Sequence, residues 1–259
     1  MTVHHVEHGS GVPLVALHGA GVDHREIEAA VEAIIPRTGY RRIYPDLPGM
    51  GRSSAKGLTC NDDVAARIAD FVGRVAGGPA MLLGHSYGAY LARGIAARRP
   101  DLVAGLALLC PAGPHTQDVP GHTVVRHDPD AHAELDTGQQ AGFDEYFVVR
   151  TRETARRYRD HVVPGAGLVD EDALGRIFGG WTLDLGSEPF ERPTLIVAGR
   201  RDSVVGFADA VGLLTRYPHA ALAVVEDAGH ALIHERPALL AGLLADWLDR
   251  AATAPRDEP

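Results

Sequence analysis

"MLLGHSYGAY", residues 81–90, is an apolar run that ends at a serine with a glycine two positions to either side. Apolar residues before the turn and small residues after it predict a buried strand leading into a helix. Ser86 then lies on the turn itself. Taken alone, the stretch allows two readings, because a serine between strand and helix is also a good N-cap.

A serine hydroxyl becomes a nucleophile only when a base removes its proton and hydrogen-bond donors receive the developing oxyanion. Gly84-His85-Ser86-Tyr87-Gly88 has the strand–turn–helix context of a Gly-x-Ser-x-Gly elbow, which calls for an acid and then a histidine further along the chain. Both are present in that order. "LIVAGRRDSVV" (195–205) places Asp202 just past an apolar strand, and "LAVVEDAGHALIHERP" (222–237) places His230 past the next one. Parallel sheets gather their sites at such carboxyl ends of strands. Asp227, three residues from His230 on the same short loop, is poorly placed to face the imidazole. His234 reads as a helix-start residue. One oxyanion donor is expected at the backbone N–H of Tyr87. The other is expected in "LHGAGVDH" (17–24), at the N–H of Ala20 ahead of that of Gly21.

Working outward, short apolar runs alternate with helical patterns, which argues for a parallel sheet with crossover helices. "PLVALHG" (13–19), "RRIYPDLPG" (41–49), "AMLLGH" (80–85) and "LALLCP" (106–111) read as strands. "NDDVAARIADFVGRVA" (61–76) and "GAYLARGIAARRP" (88–100) read as helices. The rhythm stops at Pro111. From about 112 to 190 there are helical pieces, such as "FDEYFVVRTRETARRYRDHV" (143–162) and "DEDALGRIF" (170–178), but no strong strand. Alternation resumes with "PTLIVAG" (193–199), "ALAVVED" (221–227) and "PALLAGLLADWLDR" (237–250), before a polar tail at 251–259 expected to fray.

Composition narrows the function. A formal net charge of −9 over 259 residues argues against a nucleic-acid partner, which would want a basic surface. The two cysteines, Cys60 and Cys110, are far apart and fit free thiols in a reducing cytoplasm. No zinc-type spacing of His and Cys occurs among the fourteen histidines, so no metal and no cofactor is expected. The start of the chain lacks a signal-peptide pattern, and no apolar run approaches the roughly 20 residues of a membrane helix. A cytoplasmic protein acting on a small molecule is the expectation, with monomer and homodimer both open.

On "HGAG" (18–21), "DLPGMGRS" (46–53), "GHSYGA" (84–89), "GRRD" (199–202) and "AGH" (228–230), the chain resembles the α/β-hydrolase fold superfamily, among its capped, cofactor-free serine hydrolases. Ala89 stands where many relatives carry a second glycine. The resemblance implies an α/β fold: an approximately eight-stranded, mostly parallel sheet with helices on both faces. Its first strands, about "TVHHVEHG" (2–9) and its successor, would be antiparallel. It also implies a core domain of residues 1–111 and 191–259 and a helical cap over 112–190. "DLPGMGRSS" (46–54) lacks the spacing of a phosphate loop, and Arg52 or Ser53 is expected to tie down loops near the site.

The expected chemistry is acyl transfer from a small ester, thioester or lactone through Ser86, His230 and Asp202. The same residues suit C–C bond hydrolysis of a vinylogous diketone, an aminoacyl amide or iminopeptidase substrate, or perhydrolysis. A ligand-binding or scaffolding member of the fold with little turnover is the reading from another class. Specificity is expected in the insertion, with Phe143, Tyr146, Phe147, Tyr158, Phe178 and Trp181 as candidate lining residues beside Gly21; the alternative for these aromatics is that they pack the insertion onto the sheet. Tyr87 is a further candidate for the pocket border. Arg150, Arg152, Arg156, Arg157 and Arg159 could turn toward a substrate carboxylate or form a solvated face with Glu153 and Asp160.

Overall fold

The computed structural model describes residues 2–114 and 118–254. Its centre is built from the apolar runs. β2 (Val12–Leu17), β4 (Ala80–His85), β5 (Val103–Leu109) and β8 (Thr194–Gly199) lie side by side in parallel, and residues such as Leu14–Leu17, Leu106–Leu109 and Leu195–Ala198 are buried. Continuous apolar strands of this kind require cover on both sheet faces. Helices supply it, among them α1 (His24–Ile34), α2 (Asn61–Val75), α3 (Tyr87–Arg98) and α10 (Pro237–Thr253).

The main sheet has seven strands in the order β1-β3-β2-β4-β5-β8-β9, with β1 at His5–His8, β3 at Tyr40–Pro45 and β9 at Ala220–Val225. The expected antiparallel start is reduced to β1 alone, which pairs antiparallel with β3, while its successor β2 is parallel to β3. Burial explains the difference. The HVEH strand is at best half-buried and suits an edge, whereas Leu14–Leu17 of β2 belong inside the sheet. Seven strands rather than eight therefore make the sheet of the described residues.

Between β5 and β8 the chain forms α4 (Thr137–Tyr146), α5 (Arg152–Arg157), α6 (Val163–Ala166) and α7 (Glu171–Phe178), with a π-helical turn over Tyr158–Val162. The helical stretch expected over 143–162 is broken. Val149–Arg150 is extended as β7, pairing with β6 (Arg126–His127), and Thr151 starts a new helix with a capping box to Thr154. The β-branched run Val148-Val149 and a strong cap outweigh helical spacing there. A small second core joins Phe143, Phe147, Leu135 and Ala155 of this segment to Ala231. After β8 come α8 (Ala208–Gly212) and, past β9, α9 (Leu232–Glu235). Residues 255–259 of the polar tail lie outside the described residues. No helix among the described residues is long and apolar enough to cross a membrane.

Candidate active site

Three strand ends converge on one point. Ser86 follows β4 directly, in a conformation (φ 52°, ψ −116°) rarely adopted by residues with a side chain. The turn is pinned by the Ser86 N–H, which donates to Leu109 O at 2.9 Å, and by Ser86 O, which accepts from Tyr90 N and Ala112 N. The flanking glycines are steric necessities. A Cβ on Gly84 would strike the backbone of Gly88 and Ala89, and one on Gly88 would strike the carbonyls of Leu17 and His18. The helix after the serine thus passes directly over the end of β2, which brings the loop at 18–21 against the nucleophile.

His230 and Asp202 arrive from the loops after β9 and β8. His230 Nε2 lies 2.9 Å from Ser86 Oγ, and His230 Nδ1 lies 2.8 Å from Asp202 Oδ2. Asp202 Oδ1 accepts the N–H groups of Val204 and Val205, both at 2.9 Å. Asp202 is fully buried, and burial alone would raise its pKa. The neighbouring His230 and the two N–H donors outweigh that and hold the carboxyl below its usual value, so it stays ionised.

The loop at 18–21 is fixed from beneath. His18 Nδ1 donates to Gly19 O at 2.7 Å while its Nε2 accepts the N–H of Leu47 at 2.9 Å. Complete burial lowers the pKa of His18, consistent with a neutral ring that donates on one side and accepts on the other. The Gly21 N–H points to the sulfur of Met50 at 3.3 Å. Nearby, Ser53 Oγ accepts from His4 N, and the Arg52 N–H donates to Asp46, so both residues tie down the loop at 46–53.

A cavity of about 360 Å³ opens over Ser86. Of the residues expected from sequence, Ser86, His230, Ala20, Gly21, Tyr146 and Tyr158 line it. Four expected aromatics do not. Phe143 and Phe147 are fully buried in the small second core. Phe178 and Trp181 pack on Tyr87, and Trp181 also stacks on Tyr90. The Tyr87 side chain likewise turns away from the cavity and donates to Asn61 Oδ1 at 2.9 Å. The arginines meet acids instead of the cavity. Arg152, Arg156 and Arg159 converge on Glu134, Arg150 pairs with Asp144, and Arg157 pairs with Glu153. Asp227 pairs with Arg236, and His234 is buried against Phe147.

Sequence reading missed several lining residues: Val22 and Glu26 from the loop and helix after β2, Glu145 and Val162 from the insertion, and Val204 beside Asp202. His85, the variable position of the elbow, also lines the cavity, and its Nε2 donates to the carbonyl of His230 at 3.0 Å. Among the described residues, two side-chain groups have metal-compatible spacing, His85-Cys110-His230 and His4-His24-Asp46. In the second, Asp46 takes His4 Nδ1 at 2.8 Å and His24 Nδ1 at 2.7 Å, so hydrogen bonding accounts for the cluster.

Comparison with known proteins agrees with this fold. Residues 14–243 match the model of the alpha/beta hydrolase family. Over 252 residues the chain is 23% identical to (E)-2-((N-methylformamido)methylene)succinate hydrolase of Acinetobacter baylyi, covering 96% of this chain and 94% of that protein. It is 29% identical over 261 residues to the pimeloyl-[acyl-carrier protein] methyl ester esterase of Aromatoleum aromaticum, covering 90% of this chain and 96% of that protein. Among solved structures, an alpha/beta superfamily hydrolase from Oenococcus oeni superposes with a TM-score of 0.87 at 23% identity, covering 96% of each chain.

Proposed function

Because the chain belongs to the alpha/beta hydrolase family, we propose that it is a serine hydrolase that cleaves a small carboxylic ester, thioester or lactone through an acyl-enzyme. One observation carries the proposal: His230 bridges Ser86 Oγ and Asp202 Oδ2 at 2.9 and 2.8 Å. In this reading Ser86 Oγ attacks the carbonyl carbon while His230 Nε2 takes its proton. Asp202 holds Nδ1–H and stabilises the imidazolium. The oxyanion is received by the N–H of Tyr87, the first residue of α3, and by that of Ala20. Met50 already occupies the N–H of Gly21, which favours Ala20 as the second donor. His230 then returns the proton to the leaving oxygen or sulfur, and water repeats the sequence to free the acid. Each oxyanion donor in such a site is worth about 10²–10³ in rate.

Residues 112–190 act as a cap on a core of residues 1–111 and 191–259. Supporting this, one wall of the cavity comes from Gly142, Glu145, Tyr146, Tyr158 and Val162, and the other from Gly19–Val22, Ser86 and His230. The succinate acted on by the Acinetobacter relative is not carried over, since no Lys or Arg lines the cavity among the described residues. The unpaired Cys60 and Cys110 suit a reducing cytoplasm.

A fluorophosphonate probe tests the proposal, followed by a hydrolysis screen over acyl lengths, lactones and thioesters run on wild type against Ser86→Ala. Labelling at Ser86, with turnover lost in the variant, is the expected outcome. An unlabelled native protein, or a fully active Ser86→Ala, overturns it.

A further inference from the structure

Glu26 sits in α1, lines the cavity over Ser86 and is only 1% exposed. Its Oε1 lies 2.7 Å from His85 Nδ1, while Oε2 is buried without a hydrogen-bond partner among the described residues. An unmatched buried carboxylate oxygen is costly to a fold and is rarely left so without a use. His85 Nε2 donates to the His230 carbonyl at 3.0 Å, while its Nδ1 lies 2.7 Å from Glu26 Oε1 as a close charge contact without hydrogen-bond alignment. A ring flanked by a carboxylate and a carbonyl favours its protonated form, so the two side chains form an ion pair. The titration of Glu26 agrees: burial would raise its pKa, but His85 outweighs burial and draws it down to about 2. His85 shifts the opposite way, burial lowering it and Glu26 raising it further.

The charges then sum simply. Glu26 and His85 cancel. Asp202 is left facing His230, which acts as a base only in its uncharged form, and the Glu145 side chain is exposed at the mouth. No Lys or Arg lines the space among the described residues, and the arginines of β7 and α5 are engaged with Asp144, Glu134 and Glu153. A carboxylate entering here meets unbalanced negative charge and gains no partner as it loses water.

We propose that this cavity selects esters whose non-reacting part carries a positive charge or an uncharged hydrogen-bond donor for Glu26, and rejects those carrying a carboxylate there. The proposal rests on the serine-hydrolase reading above and names the substrate class of that same site.

The test uses three butyrate esters of matched shape: choline, its neutral isostere 3,3-dimethylbutanol, and a carboxylate-bearing alcohol. A second set moves the same three end groups to the acyl chain behind a common phenol. The expected kcat/KM of the anionic ester is at least roughly tenfold below that of the neutral one in both sets, with the cationic ester equal or better. Glu145→Gln removes one of the two uncompensated carboxylates and should narrow the cation-to-anion ratio by roughly threefold, whereas Glu26→Gln, whose charge His85 balances, should narrow it less. If Glu26→Gln does not fold, the Glu145→Gln ratio decides. Calorimetric binding of choline against 3,3-dimethylbutanol reads the same preference without turnover. An anionic ester processed as well as the neutral one, or a ratio unmoved by the variants, overturns the proposal. Loss of fluorophosphonate labelling strikes the hydrolase reading instead, whereas normal labelling with the wrong charge order strikes only this one.

Discussion

Glu235 accepts the N–H of Gly229 at 2.7 Å, one residue ahead of His230. Its other oxygen accepts the N–H groups of Val148 and Val149 at 2.7 and 3.0 Å, so one buried side chain ties the inserted segment to the histidine loop. Burial raises the pKa of this carboxyl, and the three N–H donors only partly offset it. Glu235→Gln keeps the shape but offers a single acceptor oxygen, which leaves at least one buried N–H facing an NH₂. We expect stability to fall by about 1–3 kcal/mol in urea unfolding. Ser86 labelling by a fluorophosphonate should also slow, because the histidine loop loses an anchor. A stability loss with an unchanged labelling rate would limit Glu235 to a structural role.

The elbow makes a second prediction, in which stability and activity separate. Ser86→Ala and Ser86→Gly both remove Oγ, and hydrolysis should drop by roughly 10⁴-fold or more in each. Only glycine tolerates φ 52°, ψ −116° without side-chain strain. The Gly variant should therefore be the more stable of the two, by about 1 kcal/mol. Thermal melts of both variants side by side check the sign.

What the sequence disclosed, and what it hid, follows from the range of the interactions. Ser86, Asp202 and His230 were readable because each follows an apolar strand, and strand ends in a parallel sheet come together by topology alone. Glu26 was not. It lies on an amphipathic helix, "HREIEAAVEAI", where a glutamate reads as solvent-facing, and only the packing of α1 against His85 buries it. The aromatics of 112–190 were readable as apolar but not as facing anything. Phe143 and Tyr146 are three residues apart in α4, yet one fills the second core and the other lines the cavity. The antiparallel start reads as too long at the sheet edge, where half-buried β1 alone runs antiparallel and β2 joins the parallel strands.

That separation of core from lining gives a third prediction. Val204 is half exposed, lines the cavity and contributes to the acid loop only through its backbone N–H. Val204→Trp should leave Tm within a few degrees while reducing kcat/KM for long acyl esters far more than for acetates. Phe143→Ala should do the reverse, costing about 3–5 kcal/mol of stability as a cavity opens in the second core. An acyl-length profile and a melt on each variant distinguish the roles. Equal effects on both readouts would mean that core and cavity are not independent.

His234 supplies a prediction in pH. Its ring is buried, its Nε2 has no hydrogen-bond partner among the described residues, and burial lowers its pKa to about 4. Glu26 pulls the other way, while His85, Arg157 and His161 add to the depression. The unfolded chain takes up this proton near the ordinary value of 6.5, and the folded chain not until about 4. Between those limits the unfolded state binds more protons, so the contribution of His234 to stability is whole above 6.5 and declines as pH falls toward 4. His234→Leu removes the proton site. Its stability curve should be flatter than that of wild type across that window, by up to about 1.4 kcal/mol per pH unit. Urea unfolding at pH 7.5, 6, 5 and 4 measures the slopes. Parallel curves would show that the imidazole is solvated in the folded protein, in contradiction to its burial between α1 and the Phe147 ring.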